Sequence, residues 1–168
     1  MSTPPSILVG CNAKAVQIRV EGKGSFLNSS SLKEFAREMI DRGHRDFLVD
    51  LANCPVMDST FMGTLTGIAV QLRGHANGNL SIIHLNERNR DLLCNLGLNQ
   101  LFTIEGAPEP AESIFADKPL NPAPDADRSK QAQTMLEAHE ALVEADADNL
   151  PRFKDVLEYL RQDLQHLE

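Results

Sequence analysis

The stretch Phe47-Leu48-Val49-Asp50-Leu51-Ala52-Asn53-Cys54-Pro55-Val56-Met57-Asp58-Ser59-Thr60-Phe61-Met62-Gly63-Thr64-Leu65 decides how the rest of the chain is read. Its first five residues are short, mostly apolar and rich in strand formers, as expected of a central strand covered on both faces. After a loop ending at Asp58, the apolar residues Met62, Leu65, Ala69 and Leu72 recur at helical spacing, with Phe61 and Ile68 beside them. Between strand and helix lies the hydroxyl pair Ser59-Thr60. Asp58 or Ser59 at that point is what a helix start requires, because a short side-chain oxygen accepts one of the orphan first-turn amides.

Upstream, Ser6 to Cys11 and Ala15 to Glu21 read as two strands joined by Asn12-Ala13-Lys14, the second alternating Val16, Ile18 and Val20 with polar residues. Ser31-Leu32-Lys33-Glu34 has the form of a capping box, opening a helix with Leu32, Phe35, Ala36, Met39 and Ile40 on one stripe and Gly43 at its end. Downstream, Asn77-Gly78 marks a turn before a strand over Leu80 to Leu85. Asn86 can cap a helix running to Leu96, and Leu101 to Glu105 reads as a last strand. Gly63 and Gly67, four apart on one helix side, each cost roughly 1 kcal/mol of helix propensity, so their pairing predicts close approach of this helix to the sheet. The order is an α/β pattern with a mixed four- to five-stranded sheet, helices packed on it, and a C-terminal helical hairpin.

Phe47 to Leu65 resembles the signature of the anti-sigma-factor antagonist (STAS) family: a buried strand, a loop ending in Asp-Ser-[Ser/Thr], and a helix with Gly four residues after the first Ser. The resemblance spans about residues 6–105. It implies a non-enzymatic regulatory module in which Ser59 is the target of a partner kinase. Asp58, Ser59, Thr60, Phe61 and Met62 would meet the partner, an anti-sigma factor or a serine kinase of the switch type. A phosphate on Ser59 would lie at the positive end of the helix dipole and add nearly two negative charges beside Asp58. In place of the Gly that commonly follows the hydroxyl pair, this chain has Phe61, a ring able to shield the site or anchor a partner. The alternative within the same family is a constitutive scaffold or accessory subunit that is never phosphorylated.

The chain has 168 residues, room for one domain and an appendage. It is expected to divide into a domain over 1–105, a linker or wrapping arm over 106–130 rich in Pro, Ala and Asp, and a helical tail over 131–168. In the tail, Gln131 to Ala145 carries Met135, Leu136, His139 and Leu142, and Leu150 to Leu167 carries a stripe of Phe153, Val156, Leu157, Leu160, Leu164 and Leu167. Asp148 or Asn149 would cap the second helix. That stripe has to be buried, on its own domain or on the preceding tail helix, or else in a partner interface or a homodimer formed through the tail.

Charge is uneven: residues 1–105 carry 10 Lys and Arg against 10 Asp and Glu, and residues 106–168 carry 6 against 14, which is the whole net charge of −8. A neutral body with an acidic tail argues against nucleic acid, which needs a basic footprint, and against an anionic membrane surface. No apolar run approaches the ~20 residues of a membrane span, and Met1-Ser2-Thr3-Pro4-Pro5 has no secretory pattern. A cytoplasmic protein is expected. Cys11, Cys54 and Cys94 fit neither a disulfide framework nor a zinc site and are expected to be buried, reduced thiols. His44, His75, His84, His139 and His166 stand at no spacing that builds a catalytic triad or a metal site, so no catalytic residue, metal or cofactor is expected.

Overall fold

The computed structural model describes residues 5–11, 15–104, 118–120 and 128–167. Strands β1 (Ser6–Cys11) and β2 (Val16–Glu21) form an antiparallel pair, and β3 (Asp46–Asn53), β4 (Asn79–Ile83) and β5 (Thr103–Ile104) follow in parallel beside β2. A short strand β6 (Lys118–Leu120) pairs antiparallel with β1, giving one six-stranded sheet in the order β5-β4-β3-β2-β1-β6. It has more strands than the four or five the sequence suggested, because three residues of the Pro-rich arm close the β1 edge. The expected last strand is cut to Thr103–Ile104, and Glu105 lies outside the described residues.

Helices α1 (Phe26–Asp41), α2 (Ser59–Arg73) and α3 (Glu87–Asn95) make the crossovers between successive parallel strands. Alternation places Val16, Ile18 and Val20 of β2 and Phe47, Val49 and Leu51 of β3 in one core with Leu32, Met39, Phe61, Leu65, Leu72 and Leu93 of the helices. Each such side chain, fully buried, is worth roughly 1.5–3 kcal/mol before entropy costs.

α1 begins at Phe26, earlier than expected. Its N-cap is Ser25, in a capping box with Asn28, and Ser31 lies inside the helix, buried. The reason is tertiary: the Phe26 amide finds an acceptor in the Asp58 carboxylate at 3.0 Å, so the first turn is satisfied from across the fold. The C-terminal stop at Gly43, in the left-handed region at φ 100°, is as read from the sequence. Asn86 caps α3 through the Asn89 amide, also as read.

The tail folds onto this body. Helix α4 (Arg128–Ala145) lies across α1 and α2, and α5 (Leu150–Leu167) packs on α4. Leu142 joins the main core, while Ala132, Leu136, Leu157 and Leu160 form a small core of their own within the hairpin. Three members of the expected α5 stripe differ: Val156 is exposed, Phe153 is only partly buried against the main core and Leu164 only partly buried against the small core, and the Leu167 side chain lies outside the described residues. Neither Asp148 nor Asn149 acts as a simple cap for α5. A 3-10 turn over Ala147–Asn149, capped by Asp146, leads into it, and the Asn149 amide group donates to the carbonyls of Leu96 and Leu142 at 2.9 and 2.8 Å. That side chain pins the hairpin to the end of α3.

Among the three thiols only Cys54 is buried; Cys11 and Cys94 are exposed, because the ends of β1 and α3 that carry them face outward. Burial pushes the Cys54 thiol up, outweighing backbone hydrogen bonds that act in the other direction. In the native protein, iodoacetamide should therefore alkylate Cys11 and Cys94 readily and Cys54 only on unfolding. Comparable labelling of all three, read by peptide mass spectrometry, would contradict the packing around Cys54.

Candidate functional site

The loops leaving the carboxyl ends of β2 and β3 are tied to each other: the Gly24 amide donates to Val56 O at 3.0 Å and the Asp58 amide to Gly24 O at 2.8 Å. In an open parallel sheet this end is where binding sites form. Asp58 stands at the crossing. One carboxylate oxygen accepts from the Phe61 amide at 2.8 Å, capping α2, and the other accepts from the Phe26 amide at 3.0 Å, serving the first turn of α1. It is a structural clamp with both oxygens engaged.

Phe61 is wholly buried. Its ring lies against Gly24, where a Cβ would stand 2.7 Å from the ring, so the bulky residue after the hydroxyl pair is accommodated by a glycine on the neighbouring loop. Phe61 thus shields the core and offers no anchor to a partner in this arrangement. Thr60 and Met62 are buried too. Of the residues expected to meet a partner, Thr60, Phe61 and Met62 are therefore covered here, and Asp58 and Ser59 are only partly exposed.

A kinase target at Ser59 would need a hydroxyl open to the kinase. Instead the Ser59 Oγ lies 2.9 Å from Nε2 of His139, on α4. The other ring nitrogen, Nδ1, is 2.7 Å from Met135 O, which can only accept, so Nδ1 carries a proton and, in the neutral ring, Nε2 accepts the hydroxyl proton of Ser59. His139 is 3% exposed, and Phe153 of α5 packs edge-on against its ring, centroids 5.1 Å apart. A serine paired with an oriented imidazole has the outline of a nucleophile and base. Here, however, the imidazole is sealed beneath α5, and the adjacent helix amide of Phe61 is already taken by a carboxylate, which opposes development of an oxyanion beside it. The pair ties α4 to the first turn of α2.

Further along α2, Gly63 receives α4 at backbone distance: a Cβ there would stand 2.2 Å from the carbonyl oxygen of Ala138. The close approach read from the glycine pair is thus to the tail and not to the sheet, and it is made by Gly63 alone. Among the described residues nothing lies within 4 Å of a Cβ at Gly67, which borders a cavity of about 140 Å³ between α1, α2 and α4. On α1, Ser30 and Thr134 share a hydrogen bond of 3.0 Å, Lys130 pairs with Glu34 at 2.9 Å, and Lys33 pairs with Glu137. Burial acts to raise the Glu137 carboxyl, but hydrogen bonds from Lys33 and Gln133 and the charges of Lys33 and Arg37 prevail and hold it below its ordinary value.

A second polar cluster sits where β3 and β4 end. Asp50, nearly buried, accepts from the Ala52 amide at 2.9 Å and lies 2.8 Å from Nδ1 of His84, with Arg19 Nε at 3.6 Å from its other oxygen. His84 has φ 58°, unusual for a residue with a side chain. Asp46, exposed at the far end of β3, takes no part; partial desolvation by its neighbours raises its carboxyl. Among the described residues no group of His, Cys, Asp and Glu could hold a metal ion, and no helix is long and apolar enough to cross a membrane.

Sequence reasoning missed His139 as a partner of Ser59, since the two are 80 residues apart. The available signal was its place in the Met135, Leu136, Leu142 stripe, which put it on the buried face of α4.

A mixed sheet of this order, with a capped hydroxyl pair opening the second crossover helix, defines a STAS-type module. Residues 7–111 match the STAS domain profile, and the chain belongs to that family. A putative anti-sigma factor antagonist from Thermotoga maritima superimposes with a TM-score of 0.55 at 16% identity, over 64% of this chain and 90% of that one. An anti-sigma factor antagonist from Mycobacterium paratuberculosis gives 0.55 at 14%, over 67% and 94%. The anti-sigma factor antagonist SpoIIAA in its unphosphorylated form gives 0.53 at 16%, over 62% and 91%, and the Bacillus protein in its phosphorylated form gives 0.53 at 17%, over 62% and 93%. At such identities the likeness is one of fold. These relatives are almost fully covered, whereas a third or more of this chain extends beyond the match. No curated protein matches the chain.

Proposed function

We propose that this chain is a regulatory protein-binding module of the anti-sigma-factor-antagonist kind, without enzymatic activity, in which phosphorylation of Ser59 controls binding to an anti-sigma factor or a switch-type serine kinase in the cytoplasm. The observation that supports this most is the place of Ser59: first residue of α2, after the Asp58 cap, at the carboxyl end of β3 in a chain of this family. One structural neighbour is known in unphosphorylated and phosphorylated forms. Residues 1–105 act as the binding unit and the tail over 131–168 as an addition to it, joined by the arm over 106–130.

A phosphate at Ser59 would place charge where the first turn of a helix favours it, so the modification would change the surface without melting α2. Ser59→Ala should retain a co-purified partner but escape regulation. Ser59→Asp should weaken that partner by about tenfold or more, a charge effect worth ~1.4 kcal/mol. Equal affinities of the unmodified protein and both variants, measured by titration calorimetry, would reject the switch.

The second reading, a constitutive scaffold never phosphorylated, draws support from the Ser59–His139 contact, which keeps the hydroxyl occupied. Mass spectrometry of the protein from its native cell separates the two: phosphate on Ser59 supports the switch, and its absence under all growth conditions supports the scaffold.

A further inference from the structure

We infer that docking of the α4–α5 hairpin and phosphorylation of Ser59 exclude each other, so that the hairpin is a built-in cap on the switch residue. The inference rests on Ser59 being the modified residue, and it adds the element that gates it. In this structure the α2 face around Ser59 is already occupied by a helix of the same chain. Ser59 contacts His139, and one turn on, Gly63 lies against the Ala138 backbone.

The contact leaves no room for a phosphate between Ser59 and His139. Only 2.9 Å separates the Ser59 oxygen from the imidazole nitrogen, less than a phosphorus atom with three further oxygens occupies. The ring is held in place, because Met135 O fixes Nδ1 and Phe153 packs edge-on against it. Nor can α4 slide closer along α2, since the backbones already meet at Gly63. A phosphate turned outward instead would strip Nε2 of the hydroxyl proton it accepts, leaving a bare acceptor on a side chain 3% exposed. It would also put its charge beside the Asp58 carboxylate.

Phosphoryl transfer from a nucleoside triphosphate makes the Oγ–P bond, breaks the bond to the departing nucleoside diphosphate, and passes the hydroxyl proton to the kinase's base. That proton is the one now shared with His139. A kinase must therefore find the hairpin lifted, and the product keeps it from returning. Lifting it would also uncover the first two turns of α2, so a partner binding there competes with the hairpin, and the phosphate on Ser59 then weakens that partner by its charge.

The test uses full-length protein carrying phosphoserine at position 59, introduced during synthesis so that no kinase is needed, and reads amide hydrogen exchange. We expect the amides of α4 and α5 to exchange at least about tenfold faster than in the unmodified protein, while β2, β3 and α3 keep their protection. Unchanged or slower exchange in α4 would overturn the inference; slower exchange would mean that His139 binds the phosphate and tightens the cap. Should the phosphorylated protein lose protection throughout, occlusion is read separately in S59C protein, as the alkylation rate of the thiol at position 59 by iodoacetamide. That rate should rise about tenfold when G63L is added, and equal rates would overturn the inference. Failure here with phosphate found on Ser59 in cells would leave the switch intact and remove only its cap. Absence of phosphate in cells with hairpin release by phosphoserine would do the reverse.

Discussion

Gly63→Leu should lower the melting temperature and loosen α4 from α2, whereas Gly67→Leu should leave the melting temperature unchanged or raise it. The obstacle at 63 is the Ala138 carbonyl oxygen, 2.2 Å from where a Cβ would stand, and a main-chain atom cannot rotate out of the way. Overpacking of this kind costs roughly 1–3 kcal/mol, and replacing Gly in a helix returns about 1 kcal/mol of propensity. The balance is destabilising at 63. At 67 no atom of the described residues lies within 4 Å and the propensity gain stands alone, the reverse of what the paired-glycine spacing suggested. Thermal melts of the two variants check this directly, and a Gly63→Leu protein at least as stable as the parent would show that α4 is not seated as described.

Loss of the Asp58 carboxylate should be the most damaging single change at the loop crossing. Asp58→Ala removes the α2 cap and leaves the Phe26 amide of α1 without its acceptor in one step. Hydrogen bonds to a charged acceptor are worth ~1.5–3 kcal/mol each, and a cap alone about 0.5–2, so a loss of roughly 2–4 kcal/mol is expected. For a chain of this size that is a fall in melting temperature of about 5–15 °C. Asp58→Asn keeps one side-chain acceptor and should recover part of the loss. If Asp58→Ala melts within a degree or two of the parent, both amides have found other partners. This result also bears on function: a variant of Asp58 that abolishes partner binding says nothing of a direct contact until its stability has been measured.

The sheet and its helices were legible because their signals are local. Alternation in Val16 to Glu21, the apolar run at Phe47, the Asn86 cap and the Gly43 stop each involve a few neighbouring residues, and each appears where periodicity or capping chemistry required it. The bounds of α5, Leu150–Leu167, follow from its unbroken apolar stripe in the same way. The start of α1 was not legible. Two sequences competed to cap it, and the choice went to Ser25 with help from the distant Asp58 carboxylate.

Local order also determined that a hydroxyl pair opens α2 behind an aspartate cap, which a strand, a loop and a helix in succession require. What faces that hydroxyl was decided only by tertiary structure. The position of His139 depends on where α4 crosses α2, and that crossing depends on the missing Cβ at Gly63, the Ser30–Thr134 and Lys33–Glu137 contacts to α1, and the Asn149 anchor on Leu96. None of these pairs lies within one element. Periodicity tells which face of a helix is buried, but it carries no information about which other face will cover it. The serine and its helix were therefore written in the sequence, and the imidazole bonded to it belongs to the packing.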